Sequence, residues 1–257
     1  METSGIVILG SGNVACHIAV ALKESGADII QVYSPDISHA RALALSVGAR
    51  PTDNTEDIVT DAGFYIISVK DSAVALLAER MPHVDGVVVH TSGSVPMDVL
   101  LPASDRVGVM YPLQTFSKGR DLDMKTVPFF NEASDTDTLK CIDTVASSIS
   151  ESVHHADSTT RPYLHVAGVL GCNFPNFLLG CAAEVLAKGG YTLDVLRPLL
   201  QETVAKAFEF GPDASQTGPA VRGDWATIER HCAILPPEIA DIYMLLSKAI
   251  MNKYNIQ

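Results

Sequence analysis

The sequence predicts an α/β protein in two parts, a doubly wound parallel sheet over residues 1–155 and an all-helical part over residues 156–257. Three observations carry this. Short apolar, β-branched runs alternate with helix-compatible stretches as far as residue 130, the pattern of βαβ units. The first run, GIVIL, stops at the glycine-rich turn Gly10-Ser11-Gly12-Asn13-Val14-Ala15 and a helical composition follows. From about Ser158 strand signals vanish and long apolar helical segments take over.

The first element, Gly5 to Leu9, is a strand, and Ala15 to Leu22 is the helix behind it. Gly10 permits the tight turn, Gly12 lets backbone approach a pyrophosphate, and the small Ala15 lets helix pack on strand. The helix N-terminus then directs backbone N–H groups and a partial positive charge at the anion, so Gly10, Ser11, Gly12, Asn13 and Val14 are candidate dinucleotide-binding residues. The second strand, Asp28 to Tyr33, ends at Ser34-Pro35-Asp36. A small hydroxyl at Ser34 would admit a ribose 2′-phosphate and Arg41 would reach it, which favours NADP. Asp36 stands where an acidic residue would bind the ribose of NAD, so NAD stays open.

Strands are expected at Phe64 to Val69, Gly86 to His90, Arg106 to Met110 and Thr126 to Phe130, with a helix over Ala73 to Arg80. Pro128 makes the last of these an edge strand at best. Cofactor and substrate would lie beyond the carboxyl ends of the strands, near Ser68-Val69-Lys70, His90-Thr91-Ser92-Gly93 and Tyr111-Pro112. Val69, Lys70, Ser92 and Tyr111 are therefore candidates, although Lys70 and His90 are equally readable as ordinary strand-end residues.

The totals exclude several function classes. A net charge of -12 over 257 residues, with no cluster of Lys or Arg, argues against nucleic acid. Five scattered cysteines without C-x-x-C spacing argue against a disulfide framework or a zinc site, and His154-His155 with Asp157 lacks helical ligand spacing, so no metal is expected. No basic export signal precedes the first apolar run, which points to the cytoplasm. Tyr163 to Ala183 contains no Asp, Glu, Lys or Arg and approaches the length of a membrane span. The interspersed His165, Asn173, Pro175 and Asn176 favour instead a central helix packed between others, at a dimer interface if one forms.

The helical part is expected over Tyr163 to Lys188, Leu193 to Phe210, Trp225 to His231 and Pro237 to Tyr254, with the boundary near Val153 to Asp157. His165, Asn173 and Asn176 share one face of an unbroken helix, and His165 and Asn173 would stand about 12 Å apart along it. An imidazole suits protonation of a carbonyl oxygen or imine nitrogen as hydride arrives, so His165 is the candidate acid/base, with Asn173 and Ser92 orienting the reacting group. His165 is equally readable as a satisfied core histidine. Arg222 is a candidate anion anchor, and Arg161 either joins it or pairs with Asp157 at a helix start. The tripeptide Arg222-Gly223-Asp224 would be an adhesion signal only in an exported protein. Here it ends a rigid turn begun by Gly218-Pro219, with Asp224 as N-cap of the helix at Trp225.

The Gly10 to Ala15 start, "VVVHTSGS", "YPLQTF", "RPYLHVAGVLGCNF" and "TGPAVRGD" together resemble the Rossmann-like family whose C-terminal half is a domain of unknown function, number 2520. That family is related to pyrroline-5-carboxylate reductase, deazaflavin-dependent NADP reductases and the 6-phosphogluconate dehydrogenase-like superfamily. The resemblance spans nearly the whole chain. It implies a Rossmann domain, a helical 6-phosphogluconate dehydrogenase C-terminal-like domain, a nicotinamide cofactor, and a homodimer built on the helices. Two positions depart from the pattern: Tyr111-Pro112 replaces a His-Pro, passing any role of that histidine to a phenol, and Val169 stands where dehydrogenase relatives carry a lysine four residues before a site asparagine. The expected activity is NAD(P)-dependent hydride transfer to or from a small carbonyl, imine or alcohol bearing a carboxylate. The alternative is a cofactor-binding sensor without turnover.

Overall fold

The computed structural model describes residues 5–256, which form two compact units, the first ending at Cys172 and the second beginning at Asn173. The first unit is built on an eight-stranded sheet: β1 (Ile6–Leu9), β2 (Ile29–Tyr33), β3 (Arg50–Thr52), β4 (Phe64–Ile67), β5 (Val87–His90), β6 (Val107–Pro112), β7 (Phe129–Ala133) and β8 (Val153–His155). Their order across the sheet is β3-β2-β1-β4-β5-β6-β7-β8, with the first six parallel. Strand order therefore reverses between β1 and β4, and the crevice beyond their carboxyl ends is where such sheets bind ligands.

All four side chains of β1 are buried, as a parallel strand covered on both faces requires. Ile6 and Ile8 point to one face and pack with Ile18 and Leu22 of α1 (Asn13–Glu24), Leu43 and Val47 of α2 (Ile37–Val47), and Ile142 of α4 (Thr136–Ser147). Val7 and Leu9 point to the other and pack with Val74 and Leu77 of α3 (Asp71–Arg80). Two hydrophobic layers thus clamp the sheet, and the period-2 alternation of β1 feeds both. All five cysteines are free.

Three expectations about the first unit change. Residues 126–130 do not form an edge strand: β7 starts after Pro128, runs antiparallel to β6 and is flanked on its other side by β8. Pro128 lacks only a donor, and its carbonyl accepts the Leu113 N–H. The short β3 carried too few apolar residues to be visible. The units also part at Cys172/Asn173 rather than near residue 155, because α5 (Arg161–Gly168) packs on the sheet unit through the wholly buried Arg161.

The second unit comprises α6 (Phe174–Lys188), α7 (Arg197–Phe210), α8 (Pro212–Ser215), α9 (Trp225–Ile234) and α10 (Pro237–Lys253). Its described hydrophobic core is small, centred on Ala220, Ile228 and Met251. The apolar helix is not packed between others as expected. Arg161–Lys188 is the one helical run among the described residues long and apolar enough to cross a membrane, and only 6% of its most apolar window is buried. No side chain of α6 or α7 is buried, and Phe174, Phe177, Phe208 and Phe210 are exposed. Nor is that run one unbroken α-helix: a π-helical turn, Val169–Asn173, separates α5 from α6, and Pro175 lies in the first turn of α6. The wider turn shifts the register, so the single face expected for His165, Asn173 and Asn176 does not exist.

Candidate functional site

At the end of β1 the Gly10 N–H donates to the Tyr33 carbonyl, and the Ser68 N–H after β4 donates to the Leu9 carbonyl, both at 2.8 Å. Gly10 has φ +130°, and a Cβ there would lie 2.1 Å from the Ser68 carbonyl oxygen and 3.3 Å from a Val69 methyl. Only glycine fits between the two central strands. Gly12 differs. Its φ is an ordinary -73°, it is the N-cap of α1, and a Cβ built on it meets nothing within 4 Å. Open space at Gly12, the N-cap of α1, with no acidic residue in the helix's first turn, is a fit for a dinucleotide pyrophosphate.

The other predicted cofactor residues surround this opening unequally. Ser11 Oγ donates to Ser34 Oγ at 2.8 Å, which ties the glycine loop to the end of β2 and keeps Ser34 buried. Asp36, which would have read an NAD ribose, instead caps α2: its carboxylate accepts the Ser38 N–H at 2.8 Å, and those bonds to Ser38 hold it below the usual carboxylate range. Arg41 is exposed and joins no ion pair among the described residues. Val14 is half-buried against the core, Lys70 is the exposed N-cap of α3, and the Asn13 side chain donates to the Phe116 carbonyl at 3.0 Å, leaving its backbone N–H for a ligand.

A second cluster forms beyond β5 and β6. The Tyr111 hydroxyl lies 3.2 Å from His165 Nδ1, the two rings meeting edge-on at 6.1 Å between centroids. Both press on Gly93, where an added Cβ would fall 2.8 Å from His165 Nδ1 and 2.8 Å from Tyr111 Cζ. Burial pushes the Tyr111 phenol up, with the Arg161 charge pulling the other way, so it is protonated at neutral pH. The phenol oxygen can accept from Nδ1–H or donate to a bare Nδ1, so it holds the ring in place in either protonation state of the histidine. His165 is half-buried, so its ring is neither sealed in a core nor free in solvent.

The same turn is held from below. Ser92 Oγ accepts the N–H groups of Ser94 and Val95 at 3.1 Å, so its oxygen shapes the turn. His90 is fully buried, and its Nδ1 accepts the Ser92 N–H at 3.1 Å. Burial first, and the Arg161 charge second, push His90 down to about 4, so it is neutral. Arg161 does not pair with Asp157. Its guanidinium forms a buried ion pair with Glu132 of β7 and donates to the Val95 carbonyl at 2.6 Å, while Ser158 Oγ also donates to Glu132. Asp157 instead accepts the Thr159 and Thr160 N–H groups. Arg161 and His165 are one turn apart on α5, so the pair that anchors the helix also presents His165 to Tyr111. Glu132 carried no sequence signal, because a lone acid on a short strand does not reveal a partner 29 positions away.

In the second unit Asn173 and Arg222 are exposed, Arg222 ending a 3₁₀ turn, Ala220–Arg222, with no ion pair among the described residues. Gly223 takes the left-handed conformation at φ +67°, and Asp224 caps α9 as expected, accepting the Thr227 N–H at 3.0 Å. No cluster of three or more His, Cys, Asp or Glu side chains able to hold a metal occurs among the described residues.

Two family models match the chain. One, described as NADP oxidoreductase, coenzyme F420-dependent, covers residues 5–92, and the other, a domain of unknown function numbered 2520, covers residues 127–250. Among solved structures, a candidate NADP oxidoreductase from Bacteroides fragilis is 40% identical, covering 98% of this chain and 99% of that one, with a TM-score of 0.90. A protein from Thermotoga maritima is 22% identical over 95% of this chain and 99% of that one, TM-score 0.76. A reductive aminase from Aspergillus terreus, solved with NADPH and ethyl-5-oxohexanoate, is 14% identical over 97% and 93%, TM-score 0.75; these last two share the fold. No curated protein matches. Together with the glycine cradle of β1 and α1, these matches establish that the chain belongs to the Rossmann-type NADP oxidoreductase family whose C-terminal half is the domain of unknown function 2520.

Proposed function

We propose that this oxidoreductase uses NADPH to reduce a small imine or carbonyl compound bearing a carboxylate, with His165 as proton donor and Tyr111 as its positioning partner. The observation that carries the reading is the Tyr111–His165 pair on Gly93, at the carboxyl ends of β5 and β6 in the same unit as the dinucleotide cradle. When bound, the nicotinamide supplies hydride to the substrate carbon. The chain's own groups do the rest. As imidazolium, His165 delivers its Nε2 proton to the nitrogen or oxygen that gains electron density and is left neutral, its remaining proton on Nδ1 held by the Tyr111 oxygen, which keeps Nε2 turned to the substrate.

The remaining roles follow from chemistry and exposure. Ser92 can still donate its hydroxyl proton while its oxygen accepts backbone N–H groups, so it is assigned to orienting the reacting group. Ser34 and Arg41 are assigned to the 2′-phosphate of NADP. The uncovered α6 and a groove of about 360 Å³ between α6 and α10, lined by Leu178, Val185, Ile239, Ile242 and Leu246, support a homodimer built on the helical unit. A cytoplasmic location goes with this reading.

The test is loss of reduced-nicotinamide absorbance with a panel of cyclic imines and 2-keto acids, run on the wild type and His165→Ala. Turnover that falls by two orders of magnitude or more in His165→Ala, with NADPH affinity retained, is expected. Full turnover in His165→Ala would remove the acid/base role. Tight NADPH binding without turnover on any compound would instead favour a sensor.

A further inference from the structure

Residues 113–123 leave β6 and return to the dinucleotide loop, where contacts with two side chains of α1 hold them. Asn13 Nδ2 donates to the Phe116 carbonyl at 3.0 Å, and His17 Nε2 lies 3.1 Å from the Arg120 carbonyl. The His17 ring also packs on Phe116 at 5.2 Å between centroids, while His17 Nδ1 lies 2.8 Å from the Asn13 carbonyl. The strap is thus tied on both sides of Lys118, at positions one turn apart on the helix whose N-terminus faces the cradle.

What the strap carries is charge. Lys118 and Arg120 are both exposed, and neither joins an ion pair among the described residues. Gly119 between them turns the chain at φ +78°. Burial raises the Cys16 thiol and the Lys118 ammonium pulls it back, which places that charge beside the first turns of α1. Nearby, the Asp123 carboxylate is engaged by the Lys125 N–H at 3.1 Å, and Asp121 is exposed. The helix N-terminus supplies only about half a positive charge, against a pyrophosphate of about two negative charges. In a chain of net charge -12, a local pair of cations is the means of concentrating an anion.

We propose that residues 116–120 form a second wall of the dinucleotide site, with Lys118 and Arg120 pairing the cofactor pyrophosphate and Phe116, Asn13 and His17 holding them there. This rests on the pyrophosphate lying at Gly10–Gly12. The test is calorimetric affinity for NADPH and NADH over a range of salt, in wild type, the double variant Lys118→Ala/Arg120→Ala, and Arg41→Ala. The double variant should bind both cofactors about 10- to 100-fold more weakly and by the same factor, since the pyrophosphate is common to both, with a shallower salt dependence. Arg41→Ala should weaken NADPH alone. Unchanged affinity in the double variant overturns the proposal, as does a loss confined to NADPH, which would put the strap cations on the 2′-phosphate. Gly12→Val separates the two levels: if it binds both cofactors normally, the cradle reading itself fails, whatever the strap variants do.

Discussion

Gly10 and Gly12 stand two residues apart in one loop, and the structure gives them opposite reasons to be glycine. Gly10→Ala would adopt φ +130° at a cost of about 1–3 kcal/mol. Its methyl would also be driven to within 2.1 Å of the Ser68 carbonyl, so β1 and β4 must shift, at about 1–3 kcal/mol more. At about 2–4 °C per kcal/mol for a unit of this size, the melting temperature should fall by on the order of 10 °C. Gly12→Ala meets no atom within 4 Å and keeps an allowed φ. The poorer N-cap costs a few tenths to about 1 kcal/mol, and the stiffer unfolded chain returns about 0.4–1 kcal/mol, so stability should stay within about 0.5 kcal/mol. Its methyl instead enters the open space at the N-cap of α1, where the pyrophosphate is proposed to lie. Losing one charge-assisted bond there, about 1.5–3 kcal/mol, should weaken NADPH about 10- to 150-fold. Thermal melting and calorimetry on both variants check this. A stable Gly10→Ala variant would remove the Ser68 contact from the account, and wild-type affinity in Gly12→Ala would move the pyrophosphate elsewhere.

Three further outcomes are expected. Arg161→Met should destabilise the chain by about 3–5 kcal/mol in urea by stranding the Glu132 carboxylate, and Arg161→Met/Glu132→Gln should recover part of it, since removing both partners leaves no buried charge alone. His90, depressed to about 4 when folded against about 6.5 unfolded, binds its proton more readily in the unfolded chain, so its neutral burial costs nothing above pH 6.5. Stability should fall by about 3 kcal/mol as pH drops from 6.5 to 4, and His90→Asn should flatten that portion of the urea pH profile. Tyr111→Phe should lower turnover about 10-fold with NADPH affinity unchanged and alter its pH profile, because the phenol oxygen orients the His165 ring and stabilises its Nδ1–H. An unchanged pH profile would argue that Tyr111 only packs.

Much of the sheet unit was readable in the sequence because its information is local. The apolar run of β1, the glycine turn and the helix after it state their geometry within twenty residues, and β4, β5 and β6 fall where alternating apolar runs place them. The exceptions have physical causes. Pro128 weakens a strand signal only if it lies inside the strand, and β7 begins one residue later. The anchoring of Arg161 depends on Glu132 and Val95, which lie far away in sequence, so the domain boundary moved with it. The π turn at Val169–Asn173 has no composition signature beyond the nearby Pro175, and it removes the shared helical face on which His165 and Asn173 were grouped. The meeting of His165 with Tyr111 is not legible in the sequence either, because the two stand 54 positions apart and only the fold brings them into direct contact over Gly93. Asp36 shows the converse: its position suggests ribose binding, and its carboxylate instead caps α2, accepting from Ser38.

The central claim is NADPH-dependent reduction with a proton from His165. Single-turnover oxidation of bound NADPH by a reducible cyclic imine, followed across pH in wild type and His165→Gln, tests it most directly. The account predicts a wild-type rate that falls with the deprotonation of one group and a His165→Gln rate at least 100-fold lower that has lost that dependence. Equal rates and pH profiles in the two proteins would contradict it.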